Sequence, residues 1–110
     1  MPYTISYYSD AFALEILALP PTLLAHYLNL TDRMVHAGPN LGPPHTEAFG
    51  NGLFQLRLKR AEGISRVFYC TLAGQRIVML HGFIKKTKKT PPAERRIAEA
   101  RLKEVKRDHT

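Results

Sequence analysis

The sequence has few of the residues that build disulfides, metal clusters or membrane spans. Only one of its 110 residues is cysteine, Cys70, which excludes an internal disulfide and a zinc cluster built from several cysteines. The five histidines have no metal-ligand spacing, so we expect neither a metal nor a cofactor. No apolar run approaches the roughly 20 residues that cross a bilayer, and residues 1–8 show no signal-peptide pattern. We therefore expect a cytoplasmic protein that has no membrane partner.

Acidic residues are scarce in one segment, residues 57–89. This segment holds nine of the sixteen Lys and Arg residues and a single acidic residue, Glu62. The formal net charge of the whole chain is +7, which favours an anionic partner such as nucleic acid. The apolar content of 45% is that of an ordinary globular protein. A chain of 110 residues has room for one core, so we predict a single domain over residues 1–110.

The N-terminal half predicts a strand and two helices. Residues 3–8 are rich in β-branched and aromatic side chains, as strands are, and Ser9 or Asp10 can cap the helix that follows. Pro20-Pro21 ends that helix and opens a second one, which runs to about His36. The predicted apolar stripe of this second helix consists of Leu24, Leu28 and Val35, with Tyr27, Thr31 and Met34 beside it. This hairpin is interpreted as scaffold, and residues 38–52, rich in Gly, Pro and Asn, as a loop.

The C-terminal half predicts an antiparallel meander and a last helix. Strands are predicted over residues 53–60, 64–72 and 75–84, because apolar and polar residues alternate in the first and short turns join all three. Thr90 and the prolines after it begin the helix, and Ala98, Leu102 and Val105, with Ile97 beside them, form its apolar face. The predicted fold is α+β in the order β-α-α-β-β-β-α, with about four mainly antiparallel strands.

The basic segment contains a candidate binding row. Gln55, Arg57 and Lys59 form the exposed face of one strand, and Arg66 is expected on the same face of the sheet because charged groups seldom point into a core. If these converge with Lys85 and Lys86, they form a cationic concavity beside an aromatic ring, Phe83 or Tyr69. Such a site suits a phosphate and a stacked base. A solvated charge row and a plain basic loop are the simpler interpretations.

Three motifs of the C-terminal half resemble one known family. They are LFQLR at Leu53–Arg57, RVFY at Arg66–Tyr69, and LHGFIKKTKKTP at Leu80–Pro91. Together with the Pro-Pro elbow and the GPNLGPP loop, they are similar to the RelE/HigB toxin superfamily, in particular its phage-derived HigB-like branch. The resemblance extends over nearly the whole chain and implies a RelE-like fold.

The resemblance also implies a function. Such proteins are type II toxins that cut mRNA on the ribosome without a metal and are silenced by a cognate antitoxin, here expected to be a helix-turn-helix protein of the HigA type. The ribose 2′-OH attacks the neighbouring phosphate, leaving a cyclic phosphate and a 5′-OH. The residues that match the family's motif are assigned as follows: Arg66 and Lys86 to phosphate stabilisation; Arg57, Lys59, Phe83 and Lys85 to RNA binding; and His81 to proton transfer, with Tyr69 and a lysine as competitors.

Two alternatives stay open. A ParE-like inhibitor of DNA gyrase would share the fold without being a nuclease. A non-catalytic module that binds nucleic acid or an antitoxin would share the basic face without the chemistry. In the last helix and tail, where some relatives carry a catalytic Tyr, His or Asp, this chain has no tyrosine and offers only Asp108 and His109.

Overall fold

A five-stranded sheet with helices on both faces forms the protein. The computed structural model describes residues 2–85 and 89–108. The elements are β1 (Thr4–Tyr7), α1 (Asp10–Leu17), α2 (Pro21–Ala37), β2 (Thr46–Gly50), β3 (Leu53–Arg60), β4 (Gly63–Leu72), β5 (Arg76–Ile84) and α3 (Pro92–Asp108). Across the sheet the order is β1-β5-β4-β3-β2. β1 is parallel to β5, and the other neighbouring strands are antiparallel. The predicted α+β class is confirmed.

The strand β2 was missed by the sequence analysis. It pairs with β3 from Thr46, opposite Leu56, to Gly50, opposite Leu53, so the prediction of loop throughout residues 38–52 is wrong and the sheet has five strands. The turn between β2 and β3 is Asn51-Gly52, and both residues have positive φ, 57° and 79°. Asn-Gly is the pair that most favours a tight hairpin turn. This signal was present, but the surrounding Gly and Pro residues obscured it.

The helical hairpin forms as predicted, with the bend at the two prolines. The backbone amide of Phe12 donates to Ser9 Oγ at 3.1 Å, which caps α1. α1 ends at Leu17 and α2 begins at Pro21. No single helix of the described residues is long and apolar enough to span a membrane. α1 and α2 meet that criterion only when taken together across their 119° bend.

The buried face of α2 differs from the predicted stripe. The side chains that α2 buries are Leu23, Tyr27, Leu30, Thr31 and Met34, whereas Leu28 of the predicted stripe is 53% exposed. Apolar residues recur at helical spacing on both sides of this helix, so periodicity alone cannot select one. Packing against the sheet decides which side of α2 is buried. Tyr27 lies in the core, and its hydroxyl is 2.7 Å from that of Tyr7 on β1.

The two faces of the sheet carry separate cores. α1 and α2 cover one face, where Leu56, Val67 and Met79 are buried. α3 covers part of the other face, where its predicted apolar residues Ala98, Leu102 and Val105 pack on the following side chains: Leu53, Phe68, Cys70, Val78 and Leu80. The prediction that Gln55 lies in an exposed row is wrong: the side chain is buried on this second face, where its Nε2 donates to Thr90 Oγ1 at 3.1 Å. The segment that leads into α3 is thereby attached to the sheet.

Two leucines of α2 test which of its faces is inside. Leu30 is 1% exposed and Leu28 is 53% exposed, so Leu30→Ala should lower the free energy of unfolding by about 2–5 kcal/mol. Leu28→Ala should change it by less than about 0.5 kcal/mol. Urea unfolding of both variants measures the difference. Equal losses, or a larger loss for Leu28→Ala, would contradict the register of α2.

Candidate nucleic-acid interface

The register of the three central strands brings the predicted basic residues into one row. Arg57 on β3 is opposite Arg66 on β4, and Arg66 is opposite Phe83 on β5. Since side chains alternate between faces, this row lies on the face that α3 covers only in part. The expectation that Arg57 and Arg66 share a face is confirmed. We call the open area around this row the basic face, defined by Arg57, Arg66, Phe83 and Lys85.

Arg57 and Arg66 are a directly opposed pair of like charges, which is unfavourable in a sheet. Glu47 compensates one of them, because Arg57 Nη2 donates to its carboxylate at 2.5 Å. Arg66 Nη1 donates to the carbonyl of Ser65 at 3.2 Å. The Nε atoms of both arginines are buried and have no hydrogen-bond partner among the described residues. Two fixed guanidinium groups with unused donors are suited to binding an anion.

Lys85 adds a third cation to this pair. Its backbone amide donates to the carbonyl of Ile64 at 2.8 Å, so the chain continues beside β4 past the end of β5. Burial, followed by the charges of Arg66 and Arg57, lowers the pKa of Lys85 from its ordinary value. Burial and the charge of Arg57 likewise lower the pKa of Arg66. Each cation therefore lies within the field of the others, as a site for a multiply charged anion requires.

Two further cations were predicted for this site, Lys59 and Lys86. Lys59 lies on the same face, one row beyond Arg57 and opposite Ile64, and its side chain is exposed. Lys86 lies outside the described residues, so its predicted position stays a prediction. The described part of the site therefore depends on Arg57, Arg66 and Lys85.

Phe83 provides the predicted ring beside the arginines. It is half-buried, and its ring stacks on Phe68 and on His81, with centroids 6.1 and 6.3 Å apart. Phe68 is held in turn by Phe49 of β2, edge to face at 5.5 Å. Contacts with two other rings restrain the ring of Phe83, and a restrained ring beside cations suits a stacking base.

His81 lies one row from the arginines, opposite Phe68. Its Nε2 is 3.0 Å from a carboxylate oxygen of Glu94 in the first turn of α3, and the two side chains are 13% and 27% exposed. A carboxylate on one ring nitrogen orients the imidazole and directs proton exchange to the other nitrogen, Nδ1. His81 was a predicted candidate, whereas Glu94 was not. Nothing in the local sequence indicates that the two residues meet.

Tyr69 does not belong to this site, which corrects its interpretation as a competitor of His81 for proton transfer. It is fully buried on the opposite face, stacked on Phe54 at 5.4 Å, and its hydroxyl donates to the carbonyl of Pro39. Burial raises the pKa of this hydroxyl well above its ordinary value. The reason is strand alternation, because residue 69 must face away from residues 66 and 68.

Comparison with known protein families identifies the family to which this α+β protein with a basic sheet face belongs. The family model described as Phage derived protein Gp49-like (DUF891) matches residues 14–103, and the chain belongs to this family. The family is associated with toxins of the RelE/HigB type, which agrees with the resemblance of the three sequence motifs at the level of the family. No curated protein matches the chain significantly.

Tyr69→Phe tests the structural role of this hydroxyl. Removing it leaves the partly buried carbonyl of Pro39 without this donor, so the free energy of unfolding should fall by about 1 kcal/mol. Binding of single-stranded RNA should not change, because the ring faces away from the basic face. Chemical denaturation and fluorescence anisotropy measure the two quantities. A folded Tyr69→Phe protein that no longer bound RNA would return Tyr69 to the site.

Proposed function

We propose that this protein is the toxin of a type II toxin-antitoxin system and acts as a metal-independent endoribonuclease on translated mRNA. The observation that carries the proposal is the opposed pair Arg57 and Arg66, whose buried Nε atoms lack partners among the described residues. The membership in a family associated with RelE/HigB-type toxins supports it. The proposed partners of this protein are the mRNA, the ribosome and a cognate helix-turn-helix antitoxin whose acidic groups would complement the basic face.

The excess positive charge of the basic face favours the phosphorane that forms during cleavage over the phosphodiester substrate. Arg57, Arg66 and Lys85 bring three cations together, and the single carboxylate of Glu47, which pairs directly with Arg57, offsets their charge only in part. In the attack of a 2′-oxygen on phosphorus, the five-coordinate phosphorane carries more charge on its oxygens than the phosphodiester does. Fixed donors that repel one another are stabilised most by the most highly charged species, so they bind the transition state better than the substrate.

Two side chains supply the proton transfers. His81 Nδ1, the nitrogen not held by Glu94, accepts the proton of the ribose 2′-OH as the 2′-oxygen forms its bond to phosphorus. The bond from phosphorus to the 5′-oxygen breaks, and Lys85 gives its proton to that leaving oxygen. The lowered pKa of Lys85 makes it a better proton donor than an ordinary lysine. The products are a 2′,3′-cyclic phosphate and a 5′-OH.

Phe83 and Lys59 hold the substrate in this scheme. The half-buried ring of Phe83 lies between Arg66 and His81, where a base next to the cleaved bond can stack on it. Stacking tolerates any base, because every base has a π face. Lys59, exposed one row farther along the strand, contacts the backbone of the RNA as a mobile charge.

Induced expression tests the activity. The wild-type protein should arrest growth and produce new mRNA 5′ ends within codons, and Arg66→Ala should abolish both, because the phosphorane loses a fixed cation. Arg96→Ala is the matched control. Arg96 is exposed on α3, two residues from both Glu94 and the buried Ala98, and therefore points away from the sheet. Mapping of 5′ ends and growth curves provide the readouts.

The outcomes of that experiment separate the alternatives. Growth arrest with intact transcripts and gyrase-linked DNA breaks would replace the nuclease by a ParE-like gyrase inhibitor. An absence of arrest by the wild-type protein would indicate a binding module. Loss of cleavage in Arg96→Ala as well as Arg66→Ala would show that net charge, rather than the arginine pair, matters.

His81→Gln separates catalysis from binding. The glutamine retains polar contacts but cannot take up a proton, so single-turnover cleavage should slow about 10²- to 10⁴-fold. The dissociation constant for an uncleavable 2′-O-methyl RNA should stay within about twofold, a ΔG change of roughly 0.4 kcal/mol. Unaltered cleavage by His81→Gln would remove His81 from the mechanism and leave the arginine pair in place.

A further inference from the structure

A cationic cavity opens at the edge of the sheet, next to the basic face. β2 pairs with β3 only as far as Thr46, opposite Leu56, after which the amide of Arg57 donates to the carbonyl of His45 at 2.8 Å. The last residues of β3 therefore have no strand on that side within the described chain. α2 closes the gap, and a cavity of about 500 Å³ lies between it and β3.

Basic and polar residues line most of this cavity, together with the apolar Leu30 and Pro44. They include Arg33 of α2, Arg57, Lys59 and Arg60 of β3, Arg66 of β4, and the histidines His26 and His45. No Asp or Glu is among the described residues that line it. One of the lining cations, Arg57, is paired with the carboxylate of Glu47. The cavity thus continues the positive charge of the basic face around the edge of the sheet.

Three of the residues that line this cavity each carry a buried side-chain nitrogen without a hydrogen-bond partner among the described residues: His26 Nδ1, Arg57 Nε and Arg66 Nε. Buried polar atoms are normally paired, so three such residues around one cavity favour a polar ligand there. Burial, then the charges of Arg60 and His45, lower the pKa of His26. The surroundings of His26 are therefore electropositive, and an anion would relieve that field.

The polar side chains of α2 that line the cavity follow helical spacing. His26, Asn29 and Arg33 lie beside the buried stripe, whose Leu30 also reaches the cavity. Arg33 Nη1 lies 3.5 Å from His45 Nε2, which links the helix to the segment before β2. The helical hairpin, which the sequence analysis interpreted as scaffold, thus contributes polar groups to a charged cavity.

We propose that this cavity is a second phosphate-binding subsite, which holds a backbone phosphate of the single-stranded RNA whose neighbouring phosphodiester lies on the basic face. The proposal rests on the proposed function for the identity of the anion. Arg57 and Arg66 line both places, so one strand of RNA can pass from the first to the second without leaving cationic surface. His26, Asn29 and Arg33 become binding residues of α2.

Salt dependence tests the subsite. Each phosphate contact on a single strand contributes about −0.7 to the slope of log K against log salt concentration. Arg33→Ala should therefore weaken binding of an uncleavable 2′-O-methyl RNA and reduce the magnitude of the slope by about 0.7. Arg33→Lys should keep the slope, and Arg96→Ala should match the wild type. Because Arg33 is exposed, Arg33→Ala is expected to fold, which circular dichroism checks.

The outcomes of this experiment distinguish a failure of the proposed subsite from a failure of the proposed nuclease function. An Arg33→Ala slope equal to that of Arg96→Ala overturns the subsite, even if Arg66→Ala abolishes cleavage. A reduced Arg33→Ala slope in a protein that cleaves no mRNA supports the subsite and overturns the nuclease. If Arg33→Ala keeps the RNA slope but loses binding of an acidic antitoxin, the cavity belongs to a protein partner and the proposal is wrong.

Discussion

The pairing of β3 with β4 is the constraint on which the rest of the structure depends. In this register Leu56 meets Val67 on one face, and Arg57 meets Arg66 on the other. A slip of β3 by one residue would turn Arg57 toward the helical hairpin and take Leu56 out of the core beneath it, at a large cost in buried apolar surface. The hydrophobic core on one side of the sheet thereby forces two like charges together on the other side. The cost of that repulsion is a property of the folded protein that a bound anion can offset.

The boundary between core and basic face is set by how far α3 extends over the sheet. Its apolar residues cover Phe68 and Leu80. Beyond them lie two polar contacts, Gln55 with Thr90 and His81 with Glu94. These contacts satisfy groups that would otherwise be buried without partners next to the core. The histidine is held where apolar packing ends and the cations begin, so the element that completes the core also orients the group proposed to move a proton.

α2 combines two roles in one helix. Its buried stripe packs on the sheet, and the positions beside that stripe line the edge cavity. Both arrangements have helical spacing, so the sequence could not show which side of the helix faces the core. The short strand β2 also decides the shape of this region, because it ends at Thr46 and leaves the rest of β3 open to the cavity. Its Asn-Gly turn was readable from the sequence, but the five residues of the strand have little β propensity of their own.

The sequence by itself determined the α+β class, the Pro-Pro bend, the bounds of β3, the apolar face of α3 and the common face of Arg57 and Arg66. These follow from local rules, namely proline geometry, strand alternation and helical periodicity. Only the tertiary structure decided that Leu30 rather than Leu28 packs inside and that His81 meets Glu94. The last pair is separated by thirteen residues of chain, and α2 has two apolar sides. In each case the outcome depends on which surface another element presents, and no local pattern in the sequence contains that information.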